Sequence, residues 1–412
     1  ARPKRVLRET VDYDGERLTV GTATHDLSAY DEVIVLGGGN AAAHLAAAVE
    51  DELGDALDGG LVVTDDRVET STVDVLRADH PVPSERGMTS TQTLLDRARS
   101  ADEDTLVLGV VTGGGSACLV APADGISLAD LRATTEALLE SGVDIHEINA
   151  VRKHLSGIKG GGLARALAPA RVSTLVLSDV VGDDRDVIAS GPVVPDSSTF
   201  ADGLNVIERE EIAVPAAVRE RLAAGATGEV DETPGPEDPA FARVDTHLIG
   251  TNLTALRAAR TVAEDRGYET TILSSRIRGE ARDAAMAHVA VAEEIAASGN
   301  PVEPPAVVLS GGETTVSVDG DGRGGPNQEF ALAAAIDLPD DTVLGAVDTD
   351  GIDGNTDAAG AVVDGTTVAD ASTARQALAT NDANAFLADR GVLVETGPTG
   401  TNVNDLRVLV VE

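Results

Sequence analysis

The 412-residue sequence carries 70 Asp and Glu against 31 Lys and Arg, a formal net charge of −39. The acids are spread along the chain, which argues against an acidic interaction arm and disfavours binding to nucleic acid or an anionic membrane. Lysine occurs only at positions 4, 153 and 159, tryptophan is absent and methionine occurs twice, a composition expected of a halophile's cytoplasm. At molar salt a Debye length of ~3 Å screens such self-repulsion.

The length predicts two or three domains. A single cysteine, Cys118, excludes an internal disulfide and fits a reducing cytosol. No apolar run reaches the ~20 residues of a membrane span, and no signal-peptide core follows the basic start, so the expectation is a soluble, cytoplasmic protein. A homo-oligomer is left open.

In chain order, DEVIVLGGGNAAAHLAAAVEDELG (31–54) reads as strand, glycine turn and helix, and GLVVTDD (60–66) as a second strand. A helix at 88–101 follows a proline loop. DTLVLGVVTGGGSACLVAP (104–122) is a third strand running into a glycine triplet. The stretch 127–142 reads as a helix with a Ser127–Asp130 capping box and a Gly142 stop. A strand at 173–178 ends on Asp179. One further strand–helix–strand–helix passage covers 246–297, SGNPVEPP (298–305) reads as the boundary, and shorter strands and tighter turns follow. Alternating strands and helices predict an α/β fold with a mostly parallel sheet.

The glycines and cations carry the chemistry. Gly37-x-Gly39-x-x-Ala42, with Asp65 and Asp66 after the next strand, is a partial dinucleotide fingerprint, but so short a pattern is explained better by tight strand–helix packing. TGGGSA (112–117) offers a nest of backbone N–H groups and the Ser116 hydroxyl to phosphate oxygens, and no GK[ST] follows to make a Walker loop. SGGETT (310–315) and GPTGTNVND (397–405) repeat this texture. With Arg152, Lys153, Lys159 and Arg323 available, the pattern predicts a polyanion site. Most Asp residues of so acidic a chain are solvated. Asp179 and Asp350 stand out as metal or proton-handling candidates because each follows an apolar strand. His146 and His154 flank the basic stretch.

GGGSAC, DIHEINAVRKHLSGIKGG, LSDVVGDDRDVIASGPVVPDSSTFADGL, SGGETTVSV, GGPNQE, DTDGIDGNTDAAGA and TGPTGTNVNDL occur in the order seen in glycerate 2-kinases of the MOFRL type (a group once labelled hydroxypyruvate reductases), and the chain resembles that family along nearly its whole length. The resemblance implies a Rossmann-like mostly parallel sheet domain over 1–299, a smaller α/β MOFRL domain over 300–412 and an active site in the cleft between them. It also implies ATP, Mg²⁺ and transfer of the γ-phosphoryl to the 2-hydroxyl of D-glycerate, a small-molecule substrate.

On that resemblance Gly113, Gly114, Gly115 and Ser116 hold phosphate or the glycerate carboxylate. Arg152, Lys153 and Lys159 neutralise charge, and Asp179 orients Mg²⁺ or accepts the hydroxyl proton. Gly311, Gly312, Glu313, Asn327, Thr401 and Asn402 are implied at the ligand, and Asp350 at the metal. The family's usual lysine and arginine are here Asn40 and Pro326, with Arg323 available as a substitute. The other readings are a kinase for another hydroxy or sugar acid, a catalytically impaired ligand-binding relative, and an NAD(P)H-dependent hydroxypyruvate reductase.

Overall fold

The computed structural model describes residues 2–412. The chain divides into two compact units, one over residues 3–249 and one over 250–412. The division falls well before the 299/300 boundary expected from composition. The reason lies in strand pairing, as described below.

The N-terminal unit opens with a short helix, Pro3–Thr10, and a three-stranded antiparallel sheet of β1 (Val11–Tyr13), β2 (Arg17–Val20) and β3 (Ala23–Asp26). Its main sheet is built from β4 (Glu32–Gly38), β5 (Gly59–Thr64), β6 (Asp74–Arg77), β7 (Thr105–Val111), β8 (Arg171–Leu177) and β9 (Val244–Gly250), in the order β6-β5-β4-β7-β8-β9. The pairs β6/β5, β5/β4, β4/β7 and β7/β8 are all parallel. Both faces are covered, as a parallel sheet requires: every residue of β7 is buried, and Val33, Ile34, Val35 and Leu36 are at most 5% exposed.

One face packs on helices Glu85–Arg99 and Gly162–Leu167 through Leu94, Leu95, Ala98, Leu163 and Leu167. The predicted helix at 127–142 spans Leu128–Ser141 and carries the expected capping box, with Gly142 at φ 74° ending it. From β4 the chain steps outward to β5 and β6, then returns and steps the other way through β7, β8 and β9. The strand order therefore reverses between β4 and β7, whose carboxyl ends lie side by side. In open α/β sheets ligands bind at this place.

The C-terminal unit holds β10 (Glu269–Glu280), β11 (Ala306–Thr315), β12 (Thr342–Asp348), β13 (Gly360–Asp364), β14 (Leu393–Val394) and β15 (Asp405–Val411), in the order β10-β11-β15-β12-β13-β14. Only β10/β11 is parallel; β15 lies antiparallel between β11 and β12. Because β10 pairs along β11, helix Ala281–Ser298 serves as their crossover and packs in the core beside helix Pro326–Ala335. This non-local pairing draws residues 250–299 into the second unit, so SGNPVEPP is a loop inside that unit. Among the described residues no helix is long and apolar enough to cross a membrane.

Candidate active site

At the reversal point, the turn after β4 and the turn after β7 interlock through the backbone. Asn40 N–H donates to the Gly113 carbonyl at 2.8 Å, and Ala41 N–H to Thr112 Oγ1 at 3.2 Å. Gly114 lies at φ 73° and caps the single turn of helix Gly115–Cys118. Side chains are excluded here by space as well as by φ. A Cβ on Gly114 would stand 1.8 Å from Asn40 Oδ1, and one on Gly113 would stand 2.0 Å from Asp179 Oδ2. The predicted Asn40, Gly113, Gly114, Gly115 and Asp179 are thus one cluster, assembled from the ends of β4, β7 and β8.

Burial pushes the Asp179 carboxyl above the usual carboxylate range, and His80 and the Gly114 N–H pull it partly back. Cys118 is buried; desolvation pushes its thiol up to about 12, which leaves it an inert core residue.

The basic stretch divides into three roles. Lys153 is 1% exposed and pairs with Asp186 and, at 3.2 Å, with Asp196, so its charge is neutralised inside the fold rather than presented to a ligand. This corrects the expectation that it meets a phosphoryl group. Lys159 is also buried, and its Nζ donates to the carbonyls of Ser116 (2.8 Å) and Leu119 (3.2 Å). Desolvation, then the nearby Arg152 guanidinium, lowers its pKa to about 7. Lys159 therefore braces the glycine turn from behind.

Arg152 is half-buried, and burial lowers its pKa as well. Among the described residues it is bonded to no carboxylate or carbonyl, which makes it the free cation of this stretch. His146 is exposed near the start of helix Ile145–His154, whereas His154 is buried against Glu232 and the Phe200 ring.

Two residues passed over in the sequence complete the cluster. Ser116 Oγ lies 2.7 Å from Ser190 Oγ, which donates to Asn149 Oδ1 at 3.0 Å. Ser190 and its neighbour Ala189 have φ of 61° and 51°, left-handed values that cost energy for residues with a Cβ and are held by tight packing against Gly115. Asn149 Nδ2 is buried with no partner. The apolar-polar block around IASGP was the one available signal, and it reads as a loop.

In the C-terminal unit most motif residues bond one another. Asn327 Nδ2 donates to Asp353 Oδ1 (3.2 Å) and Asp405 Oδ1 (2.7 Å), and Gln328 Nε2 donates to Asp353 Oδ2 (2.9 Å). The buried Arg407 donates to Asp405 Oδ2 at 2.5 Å and to Thr314 Oγ1 at 2.8 Å. Arg323 is exposed and donates to the Asn355 carbonyl at 3.3 Å; Pro326 is the first residue of its helix. Gly311 and Gly312 lie within β11 beside Asn252 and Ile277, and Glu313 is exposed.

Asp350 accepts from Asn402 Nδ2 at 3.4 Å and from Ile352 N–H at 2.7 Å, and Thr401 is buried with its hydroxyl unpartnered. Asp348 and Asp350 are both held above the normal carboxylate range. Burial is the main cause for each, followed for Asp348 by the Asp350 charge. Among the described residues no three acidic, thiol or imidazole groups form a ready-made metal cage.

Family comparisons agree with this architecture. Residues 1–223 match a domain of unknown function, DUF4147, and residues 306–405 match the MOFRL family. A glycerate 2-kinase of Pyrococcus horikoshii is 39% identical over 100% of this chain and 94% of its own. A D-glycerate 2-kinase of Thermotoga maritima is 40% identical over 91% of this chain and 90% of its own. The chain belongs to the glycerate kinase family. The crystal structure of a family member, a glycerate kinase from Thermotoga maritima, superposes with a TM-score of 0.87 at 38% identity, covering 100% of this chain and 96% of that one. The family assignment accounts for the two-unit α/β fold, a parallel sheet followed by the MOFRL region.

Proposed function

We propose that this chain is a glycerate 2-kinase that transfers the γ-phosphoryl of ATP to the 2-hydroxyl of D-glycerate with Mg²⁺ present. The observation that carries the reading is similarity at 39–40% identity, over nearly the whole chain, to glycerate 2-kinases. The strand-end cluster supports it, because phosphoryl transfer needs positioning and charge neutralisation more than covalent help from the protein.

In this reading the glycine turn of Gly113, Gly114 and Gly115, through the Gly113 N–H and the close backbone approach it allows, and the guanidinium of Arg152 receive the anionic end of a ligand. Asp179, whose carboxyl is held above its normal range, accepts the proton of the reacting hydroxyl. Asn40 shapes the turn that faces this cluster, and Lys159 holds the turn's carbonyls.

Mg²⁺ takes one or two carboxylates together with phosphate oxygens and water, so the carboxylate of Asp179 in one unit, or of Asp350 in the other, suits it without a closed cage. When bound, it neutralises phosphate charge. The acidic composition points to a high-salt interior as the working medium.

The test is ADP release dependent on D-glycerate, with ATP and Mg²⁺ in molar KCl, and identification of the product. The expected product is 2-phosphoglycerate. Its absence, from a folded chain that binds ATP, overturns the reading.

A further inference from the structure

The hydroxyls of Ser116 and Ser190 form a relay whose polarity is set at its buried end. Ser190 Oγ donates to Asn149 Oδ1 at 3.0 Å, so its single proton is committed there. Ser190 Oγ then has only lone pairs for Ser116 at 2.7 Å, and Ser116 must supply the proton between them. Ser190 is 0% exposed and Asn149 2% exposed, so no solvent enters to reverse the order. Ser116 itself is half-buried on the glycine turn. Its remaining capacity is two lone pairs and no proton.

A phosphate or carboxylate oxygen needs a donor, so this hydroxyl does not serve the anionic end of a ligand. That end has donors of its own close by. Arg152 sits three residues after Asn149, on the same face of its helix, and its charge reaches Lys159, whose Nζ holds the Ser116 carbonyl. The relay also cannot accept a proton permanently, because it ends on an amide oxygen rather than a base. It therefore suits a hydroxyl that keeps its proton through the reaction.

We propose that Ser116, set as an acceptor by Ser190 and Asn149, reads the non-reacting 3-hydroxyl of the acceptor acid and so selects glycerate over acids lacking that group. This rests on the kinase reading for which hydroxyl reacts. Ser116 touches the substrate; Ser190 and Asn149 are positioning residues that act through it. A site built around a substrate hydroxyl disfavours the analogue lacking it, because the protein's own polar group is then left unpaired.

The experiment compares D-glycerate with D-lactate, its 3-deoxy analogue, as the ratio of kcat/KM values in the intact chain, Ser116→Ala and Asn149→Asp. The ratio is insensitive to the fraction of protein folded. The intact chain is expected to favour glycerate by about tenfold or more. Ser116→Ala should lose most of that preference. Asn149→Asp should keep it, because a carboxylate still takes the Ser190 proton. An unchanged ratio in Ser116→Ala, or a lost one in Asn149→Asp, overturns the proposal; the second result means that the amide nitrogen faces Ser190. Calorimetric binding of the two acids to the same proteins gives the ratio without turnover. A binding preference without phosphorylation sinks the kinase reading and keeps the hydroxyl reader, whereas equal binding of both acids sinks the reader.

Discussion

The two units share a glycine-rich texture and pair its polar groups to different degrees. Around the carboxyl ends of β4, β7 and β8 and the neighbouring helix Ile145–His154 the polar groups are left incompletely paired: among the described residues Arg152 and Asn149 Nδ2 have no hydrogen-bond partner, and Asp179 is pushed up in pKa. In the MOFRL region the GGPNQE and DTDGIDG segments are joined by hydrogen bonds, with Asn327, Gln328, Asp353, Asp405 and Arg407 forming a dense buried network in which only Asn327 Oδ1 and two Arg407 nitrogens lack a partner among the described residues. Unpaired buried groups cost stability and are kept where a ligand completes them, whereas densely bonded networks fix one conformation. A sequence motif can therefore mark either use, and only the pairing distinguishes them.

Substitutions that remove one partner from a satisfied pair should have the largest effect. Asp405→Ala leaves the Arg407 guanidinium buried without its carboxylate and should cost about 3–5 kcal/mol, read by denaturant unfolding in molar KCl. Lys153→Ala, which strands Asp186 and Asp196, should cost a similar amount in the other unit. A loss below about 1 kcal/mol in either would mean that these charges are not buried as described.

Arg152→Ala sharpens the contrast from the other side. Glycerate kcat/KM should fall about a hundredfold, as for loss of a charge-stabilising donor, while stability changes by no more than about 0.5 kcal/mol. Equal damage to stability and turnover would place Arg152 with the structural cations.

Lys159 gives a change in pH shape. Its folded pKa of about 7 lies below the unfolded value of about 10.4, so between these the unfolded chain binds more protons and stability rises with pH. The penalty for burying the ammonium is complete below pH 7 and gone above about 10.4. Lys159→Met should remove this rise, visible in the difference between the two stability curves from pH 7 to 10. The smallest effect is expected at Pro326, the first residue of its helix, where φ is preset. Pro326→Arg should cost about 0.4–1 kcal/mol in stability. A gain in turnover from that change would show that the family's usual guanidinium is missed here.

Much of the N-terminal unit was legible because its signals are local. Apolar runs ending in glycine or Asp placed β4, β7, β8 and the loops that gather Asn40, Gly113 and Asp179, and Ser127, Asp130 and Gly142 marked a helix to within a residue at each end. The domain boundary was misread because it depends on β10 pairing with β11 across an intervening helix, which no local composition records. Lys153 was misassigned for a related reason: its place in the basic stretch suggested chemistry, while its partners Asp186 and Asp196 lie 33 and 43 residues away. Ser190 and Asn149 meet across 41 residues, and the left-handed backbone at Ser190 has no glycine to announce it.

The twelve-residue β10 forms one rim of the C-terminal sheet, with one side bonded to β11 and no strand paired to the other among the described residues. A straight, exposed strand of that length is a template on which a neighbouring molecule could build fibrous aggregates. Its pairing is broken by register shifts between Ile272 and Ser274 and between Ser274 and Ile277, and exposed Glu269, Arg276 and Arg278 punctuate it. The irregular rim therefore guards solubility where the −39 charge is screened by salt: with long-range repulsion weakened, resistance to edge-to-edge stacking falls to local strand geometry.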